Sequence, residues 1–137
     1  MKNKILVTGA FGFIGSHLVE SLIEKNYNVI AFDRYNSDSY YGWLENSKYK
    51  KEIEVVLGDI RDYDSVSKSV KNSKICLHLA ALIGIPYSYL SPLAYVRTNI
   101  DGTYNILEAA KNFDIEQTII TSTSEVYGSA QSIPILE

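Results

Sequence analysis

Short runs of β-branched and aliphatic residues alternate along the chain with longer segments whose apolar positions recur every three or four residues. That rhythm predicts parallel strands joined by crossover helices in one doubly wound sheet, an α/β architecture. The first strand falls at Ile5 to Thr8. After a glycine-rich turn, Ile14, Leu18 and Leu22, with Val19 and Ile23, keep the spacing of one buried helical face, and this helix runs out near Lys25-Asn26. A second strand follows from Asn28 to Asp33. From Arg34 to Lys51 the pattern dissolves into polar, tyrosine- and serine-rich sequence around Gly42 and Trp43, which reads as a long connection with at most one or two helical turns. The third strand is Ile53 to Leu57, and a short helix starts at Asp62 as N-cap with Val66 and Val70 facing in. Ile75 to Leu79 is the fourth strand. Ser91-Pro92 predicts a helix start in which the serine hydroxyl caps free amides, and Val96, Ile100, Tyr104 and Leu107 mark one face to about Lys111. Thr118 to Thr121 is the fifth strand.

Size and charge narrow the picture. A chain of 137 residues holds one domain with a hydrophobic core. Its 13 basic and 16 acidic residues leave a net charge of -3 with the basic ones scattered, so nucleic acid is not an expected partner. The single cysteine, Cys76, lies in the apolar run Ile75-Cys76-Leu77 and reads as core, which excludes an internal disulfide and a cysteine metal site and fits a reducing cytoplasm. No apolar run is long enough to span a bilayer, and Met1-Lys2-Asn3-Lys4 leads into the first strand without a signal-peptide core; neither a membrane nor export is expected.

Candidate chemistry begins where the first strand ends. Thr8-Gly9-Ala10-Phe11-Gly12-Phe13-Ile14-Gly15 sets three glycines three residues apart at a strand-to-helix junction. Free amides and the positive end of the helix dipole hold a dinucleotide pyrophosphate there only if no side chain keeps the phosphates away. Gly9 and Gly12 supply that access, and Gly15 lets the helix pack closely on the sheet. Eighteen residues past Gly15, Asp33 ends the second strand, where a carboxylate accepts from both adenosine ribose hydroxyls. Like charge would repel a 2′-phosphate, which favours NAD over NADP, with Arg34 beside it pulling the other way.

In these motifs the chain resembles the extended short-chain dehydrogenase/reductase family, the NAD-dependent epimerases and dehydratases of nucleotide sugars. The resemblance implies a Rossmann-like sheet with helices on both faces and assigns the turn Gly9, Phe11, Gly12, Phe13, Ile14 and Gly15, with Asp33 and Arg34, to the cofactor. Gly58-Asp59-Ile60 resembles the adenine contact, with Asp59 on the exocyclic amine and Ile60 against the ring. His78-Leu79-Ala80-Ala81 resembles the segment beneath the pyrophosphate and nicotinamide ribose, although His78 reads equally as a packed core histidine; His17 reads as structural. Thr98 to Thr103 resembles the helix whose asparagine, here Asn99, stabilises the strand ends near the nicotinamide. Ser122-Thr123-Ser124-Glu125-Val126-Tyr127-Gly128 resembles the active-site strand, with Tyr127 structural.

For the reaction, the resemblance implies that Thr123 holds a sugar hydroxyl oxygen while a Tyr-x-x-x-Lys pair takes its proton. None of the 11 tyrosines has a lysine four residues on, so the chain is expected to be the N-terminal, cofactor-binding part of a longer enzyme, itself a lyase, and to bind cofactor at best when alone. Glu125 is placed as the base for the C5 proton of a 4,6-dehydratase, beside Ser124 where deoxythymidine-diphosphate-glucose dehydratases carry Asp. Thr-Ser-Glu is similar to guanosine-diphosphate-mannose dehydratases and equally to uridine-diphosphate-glucuronate decarboxylases. The segments around Gly42-Trp43, Ala81 to Tyr89 and Ser124 to Gln131 resemble 4,6-dehydratases acting on nucleotide-linked N-acetylglucosamine in legionaminic-acid-type synthesis. Tyr87 and Ser88, past the fourth strand, are the candidate substrate contacts. Decarboxylation, 4-epimerisation and a non-catalytic NAD-binding module stay open as alternatives, no metal is implied, and the helix from Ser91 to Lys111 resembles one contributor to a homodimer of the full-length protein.

Overall fold

A computed structural model describes residues 4–135; Met1, Lys2 and Asn3 of the polar lead-in, with Leu136 and Glu137, lie outside the described residues. Five strands form one parallel sheet in the order β3-β2-β1-β4-β5: β1 (Lys4–Thr8), β2 (Asn28–Arg34), β3 (Glu54–Gly58), β4 (Ile75–His78) and β5 (Gln117–Ile120). Each strand lies within a residue of its expected bounds.

Strand alternation sorts the core into two layers. Ile5, Val7, Val29 and Ala31 point to one face, where they meet Val19 and Ile23 of α1 (Phe13–Glu24) and Leu44 of a single 3-10 turn, Gly42–Leu44, in the long connection. Leu6, Ile30, Phe32 and Cys76 point to the other, under Val66 and Val70 of α2 (Tyr63–Lys71) and Ile106 and Ala109 of α5 (Gly102–Asn112). Asp62 caps α2 by accepting from the Asp64 amide at 3.1 Å. Helices on both faces of an all-parallel sheet make the fold Rossmann-like.

Local expectations fail where tertiary contacts decide. Ile14 is 65% exposed; α1 instead buries Gly15, Ser16, Val19 and Ile23, a face rotated by one residue because glycine and serine admit the closest approach to the sheet. Ile85–Leu90 forms a helix, α3, that its weak periodicity hides. The Ser91 hydroxyl makes no capping bond to the following α4 (Pro92–Tyr95), because Ser91 already sits at the end of α3 with its own amide donated to Tyr87. A wide π turn, Val96–Asp101, carries α4 into α5. Val96, Ile100, Tyr104 and Leu107 do share a face, an exposed one.

Candidate functional site

Strand order reverses beside β1: the chain passes outward through β2 and β3, then returns to pair β4 on the other flank. Connections leaving β1 and β4 therefore diverge and leave a crevice at the carboxyl edge of the sheet, where ligands of such folds bind. Gly9 and Ala80 line its floor. Gly9 has φ +68°, and a Cβ on it would stand 2.8 Å from the Ala80 nitrogen, so both the backbone angle and the close approach demand glycine. Gly12 is exposed and caps α1 with its carbonyl, accepting from the Ser16 amide at 2.9 Å. Phe13, Ile14 and Gly15 are the first residues of α1, so their amides have no preceding helical carbonyl to donate to; Phe13 and Ile14 are exposed and Gly15 is buried.

Asp33 stands at the adjoining end of β2. Its Oδ2 accepts from the Phe11 amide at 2.7 Å and its Oδ1 from the Arg34 amide at 2.7 Å. Burial pushes this carboxyl above the usual aspartate range, against the lowering pull of those two amides. Phe11 itself turns inward, 8% exposed with its ring 5.3 Å from that of Tyr41. A dinucleotide fits the residues present: a side-chain-free turn, unpartnered helix amides and a carboxylate on one edge.

The Gly58-Asp59-Ile60 segment is engaged with neighbouring side chains. Asp59 is gripped by Arg61, whose Nε stands 2.9 and 3.0 Å from its two oxygens, and the guanidinium holds its carboxyl below the usual range. Ile60 is 6% exposed because its side chain packs in the core under Gly102. Beside them an open cleft of about 380 Å³ is lined by Asp59, Arg61, Asp62, Arg97 and Asp101.

Beneath the crevice lies a polar network that sequence reasoning missed. The Thr8 Oγ1 accepts from the Leu79 and Ala80 amides, both at 3.2 Å, and so gives its proton to His78 Nδ1 at 2.7 Å. His78 Nε2 then donates to Thr103 Oγ1 at 3.1 Å, and Thr103 donates to the Asn99 carbonyl at 2.7 Å. Asn99 clamps the Leu82 backbone with both amide atoms at 2.8 Å. Its neighbours Leu79 and Ala80 are half-buried and Ala81 is exposed on the crevice. Only a threonine at an inward-facing strand position ahead of Gly9 hinted at the network.

His78 is the core histidine of the two readings, 3% exposed, and burial pushes its pKa down to about 4. A proton on Nδ1 would oppose the Thr8 hydroxyl. Because the folded pKa is depressed below the ordinary value of 6.5, the unfolded chain binds the extra proton between those values. Stability is therefore fully present above pH 6.5, falls as pH drops toward 4, and is unchanged by this group below that, a loss of at most about 3 kcal/mol. Urea melts of wild type and His78→Gln across that window check it, the variant losing most of the slope. Cys76, 0% exposed with its thiol pushed up to about 12, is core as expected. His17 is exposed with its ring edge-on to Phe13 at 4.9 Å.

Past β5 the expected active-site strand is instead a 3-10 turn, Ser124–Tyr127, because the Thr123 hydroxyl accepts from the Glu125 amide at 3.4 Å and curls the chain. The same hydroxyl donates to the Glu125 carboxylate. Thr123, Ser124 and Glu125 are exposed, and Tyr127 is 49% exposed. Tyr87 and Ser88 lie on α3: the Tyr87 ring stands 6.1 Å from that of Tyr95, and Ser88 Oγ donates to the Ile85 carbonyl at 2.6 Å. No group of three or more metal-ligating side chains occurs among the described residues, and no helix there is long and apolar enough to cross a membrane.

A family model described as GDP-mannose 4,6 dehydratase matches residues 6–137. The chain belongs to that family. It is 38% identical to a UDP-N-acetyl-alpha-D-glucosaminuronate decarboxylase of Bacillus cytotoxicus, over 93% of this chain and 39% of that protein. Protein CapI of Staphylococcus aureus is 37% identical over 96% of this chain and 41% of its own length. Among solved structures, a UDP-N-acetylglucosamine 4-epimerase from Methanobrevibacter ruminantium, in complex with UDP-N-acetylmuramic acid, superposes with a TM-score of 0.83 at 36% identity, covering 100% of this chain and 43% of that one. A UDP-glucose-4-epimerase from Stenotrophomonas maltophila, solved with NAD and formylated UDP-arabinopyranose, gives 0.85 at 29% identity over 97% and 40%. The chain thus spans about two fifths of the length of the relatives it matches.

Proposed function

We propose that this chain is the NAD-binding half of a nucleotide-sugar 4,6-dehydratase, acting on a nucleotide-linked N-acetylglucosamine. The observation that supports this most is the proximity of Thr123 and Glu125 in one turn at the carboxyl edge that also carries the glycine turn. NAD, when bound, would supply a reversible hydride acceptor beside the sugar. The amides of Phe13 and Ile14 hold its pyrophosphate, and Asp33 accepts from the adenosine ribose. Asp59 meets the adenine amine by exchanging part of its pairing with Arg61.

Thr123 holds the C4 oxygen by hydrogen bond. Its hydroxyl now donates to Glu125, so substrate binding frees that carboxylate to take the C5 proton, which the neighbouring ketone has made acidic. Ser124, on the same turn, donates toward the departing C6 hydroxyl. Tyr87 and Ser88 contact the sugar nucleotide from α3. The exposed face of Val96, Ile100, Tyr104 and Leu107 suits pairing of two full-length copies.

A second reading, decarboxylation, is favoured by the Bacillus cytotoxicus relative. Mass spectrometry separates the two, using protein from the complete reading frame with NAD and either UDP- or GDP-N-acetylglucosamine or UDP-glucuronate. Loss of one water from an N-acetylglucosamine substrate is expected. Loss of carbon dioxide from the glucuronate establishes the second reading, and an unchanged mass with both N-acetylglucosamine substrates contradicts the first.

A further inference from the structure

The connection between β2 and β3 is held far more tightly than an irregular linker. Leu44 is 1% exposed in the α1-side core. Beyond it, Ser47 Oγ donates to Glu20 at 2.6 Å and the Tyr49 hydroxyl to Glu24 at 2.9 Å, which ties the segment along α1. Ahead of it, the chain reaches the glycine turn, where the Trp43 amide donates to the Phe11 carbonyl at 3.1 Å. The Trp43 ring stands edge-on to Phe13 at 5.3 Å.

Phe11 is thereby held on both sides. Asp33 takes its amide and Trp43 supplies a donor to its carbonyl. That carbonyl belongs to the peptide unit whose N–H, on Gly12, donates to Gly9 at 3.2 Å, so the bond from Trp43 sets the plane from which the next two amides, Phe13 and Ile14, project. Gly42 makes the approach feasible. Its φ is +54°, and a Cβ there would lie 2.5 Å from the Phe11 carbonyl oxygen and 3.0 Å from the Phe11 Cβ.

We propose that the Gly42-Trp43 backbone is a positioning brace for the dinucleotide site. It fixes the Phe11-Gly12 peptide so that the Phe13 and Ile14 amides converge on the pyrophosphate, and brace closure and cofactor binding favour each other. The inference rests on the cofactor reading above. Reciprocity follows from linkage: whatever factor the brace adds to cofactor affinity, bound cofactor adds to brace closure.

Calorimetric titration of protein from the complete reading frame with NAD, on wild type, Gly42→Ala and Ser47→Ala, tests it. Gly42→Ala is expected to weaken NAD binding at least tenfold. Ser47→Ala loosens the same connection at its tie to α1, away from the turn, and is expected to lower the melting temperature while leaving affinity within twofold. A folded Gly42→Ala that binds as wild type overturns the brace alone, whereas a folded wild type that does not bind NAD overturns the cofactor reading beneath it. Should Gly42→Ala fail to fold, hydrogen exchange at the Trp43 amide of wild type decides: at least tenfold slowing at saturating NAD supports the brace, and an unchanged rate overturns it.

Discussion

Gly15→Ala is expected to abolish measurable NAD binding and to destabilise the fold by about 2 kcal/mol or more. One methyl is enough because the space is already taken by backbone. A Cβ at this position would lie 2.9 Å from the Ala10 Cα and closer still to the Gly9 carbonyl oxygen, neither of which belongs to a flexible side chain. Relief requires α1 to move off the end of β1, and that movement carries away the Phe13 and Ile14 amides and separates Asp33 from Phe11. Affinity and stability therefore fall together, read by calorimetry and thermal melting of the same preparation. A variant that melts as wild type and still binds would mean that the helix does not dock as closely as Gly15 permits.

The second large effect concerns the reaction. In protein from the complete reading frame, Glu125→Gln is expected to cut dehydration by at least a thousandfold, roughly the share that a positioned base supplies. Oxidation at C4 should survive, because in the proposed reaction it would use Thr123 and a proton acceptor at that hydroxyl rather than the Glu125 carboxylate. Glutamine keeps the shape and the hydrogen bond from Thr123 but has no basicity, so the variant should accumulate reduced cofactor without releasing water. Rapid-mixing absorbance of the nicotinamide, followed by product mass, checks both halves. Unimpaired water loss would remove Glu125 from the role of base.

These expectations draw on features of unequal legibility. The strands and the two-layer core were readable because the continuous apolar runs of β1 and β2 place Ile5, Val7 and Val29 on one face and Leu6, Ile30 and Phe32 on the other, the signature of a sheet covered on each side. The glycine turn and Asp33 were readable because their spacing encodes a shape, a close approach followed by a carboxylate at the next strand end. What escaped depends on partners remote in sequence. Thr8 and His78 are 70 residues apart, and nothing local to either shows the hydrogen bond between them. Ile60 carries an apolar side chain that suits a base or a core equally, and only the glycine at 102 packed over it decides for the core. The segment from Ser122 to Gly128 misled in a different way: β-branched and aromatic residues favour a strand after Ile120, but Thr123 bonded to the Glu125 amide turns the chain before pairing can continue. Ile85 to Leu90 folds into helix from a proline start that carries no apolar period.

The central claim is that the turn after β1 and the carboxylate after β2 together select NAD. Competition calorimetry on the 137-residue chain with NAD and NADP tests it most directly. One NAD per chain is predicted, bound at least tenfold more tightly than NADP because a 2′-phosphate would meet the Asp33 carboxylate, with the preference lost in Asp33→Asn. Equal affinity for the two cofactors, tighter NADP binding through Arg34, or no heat from either with a folded chain would contradict the account.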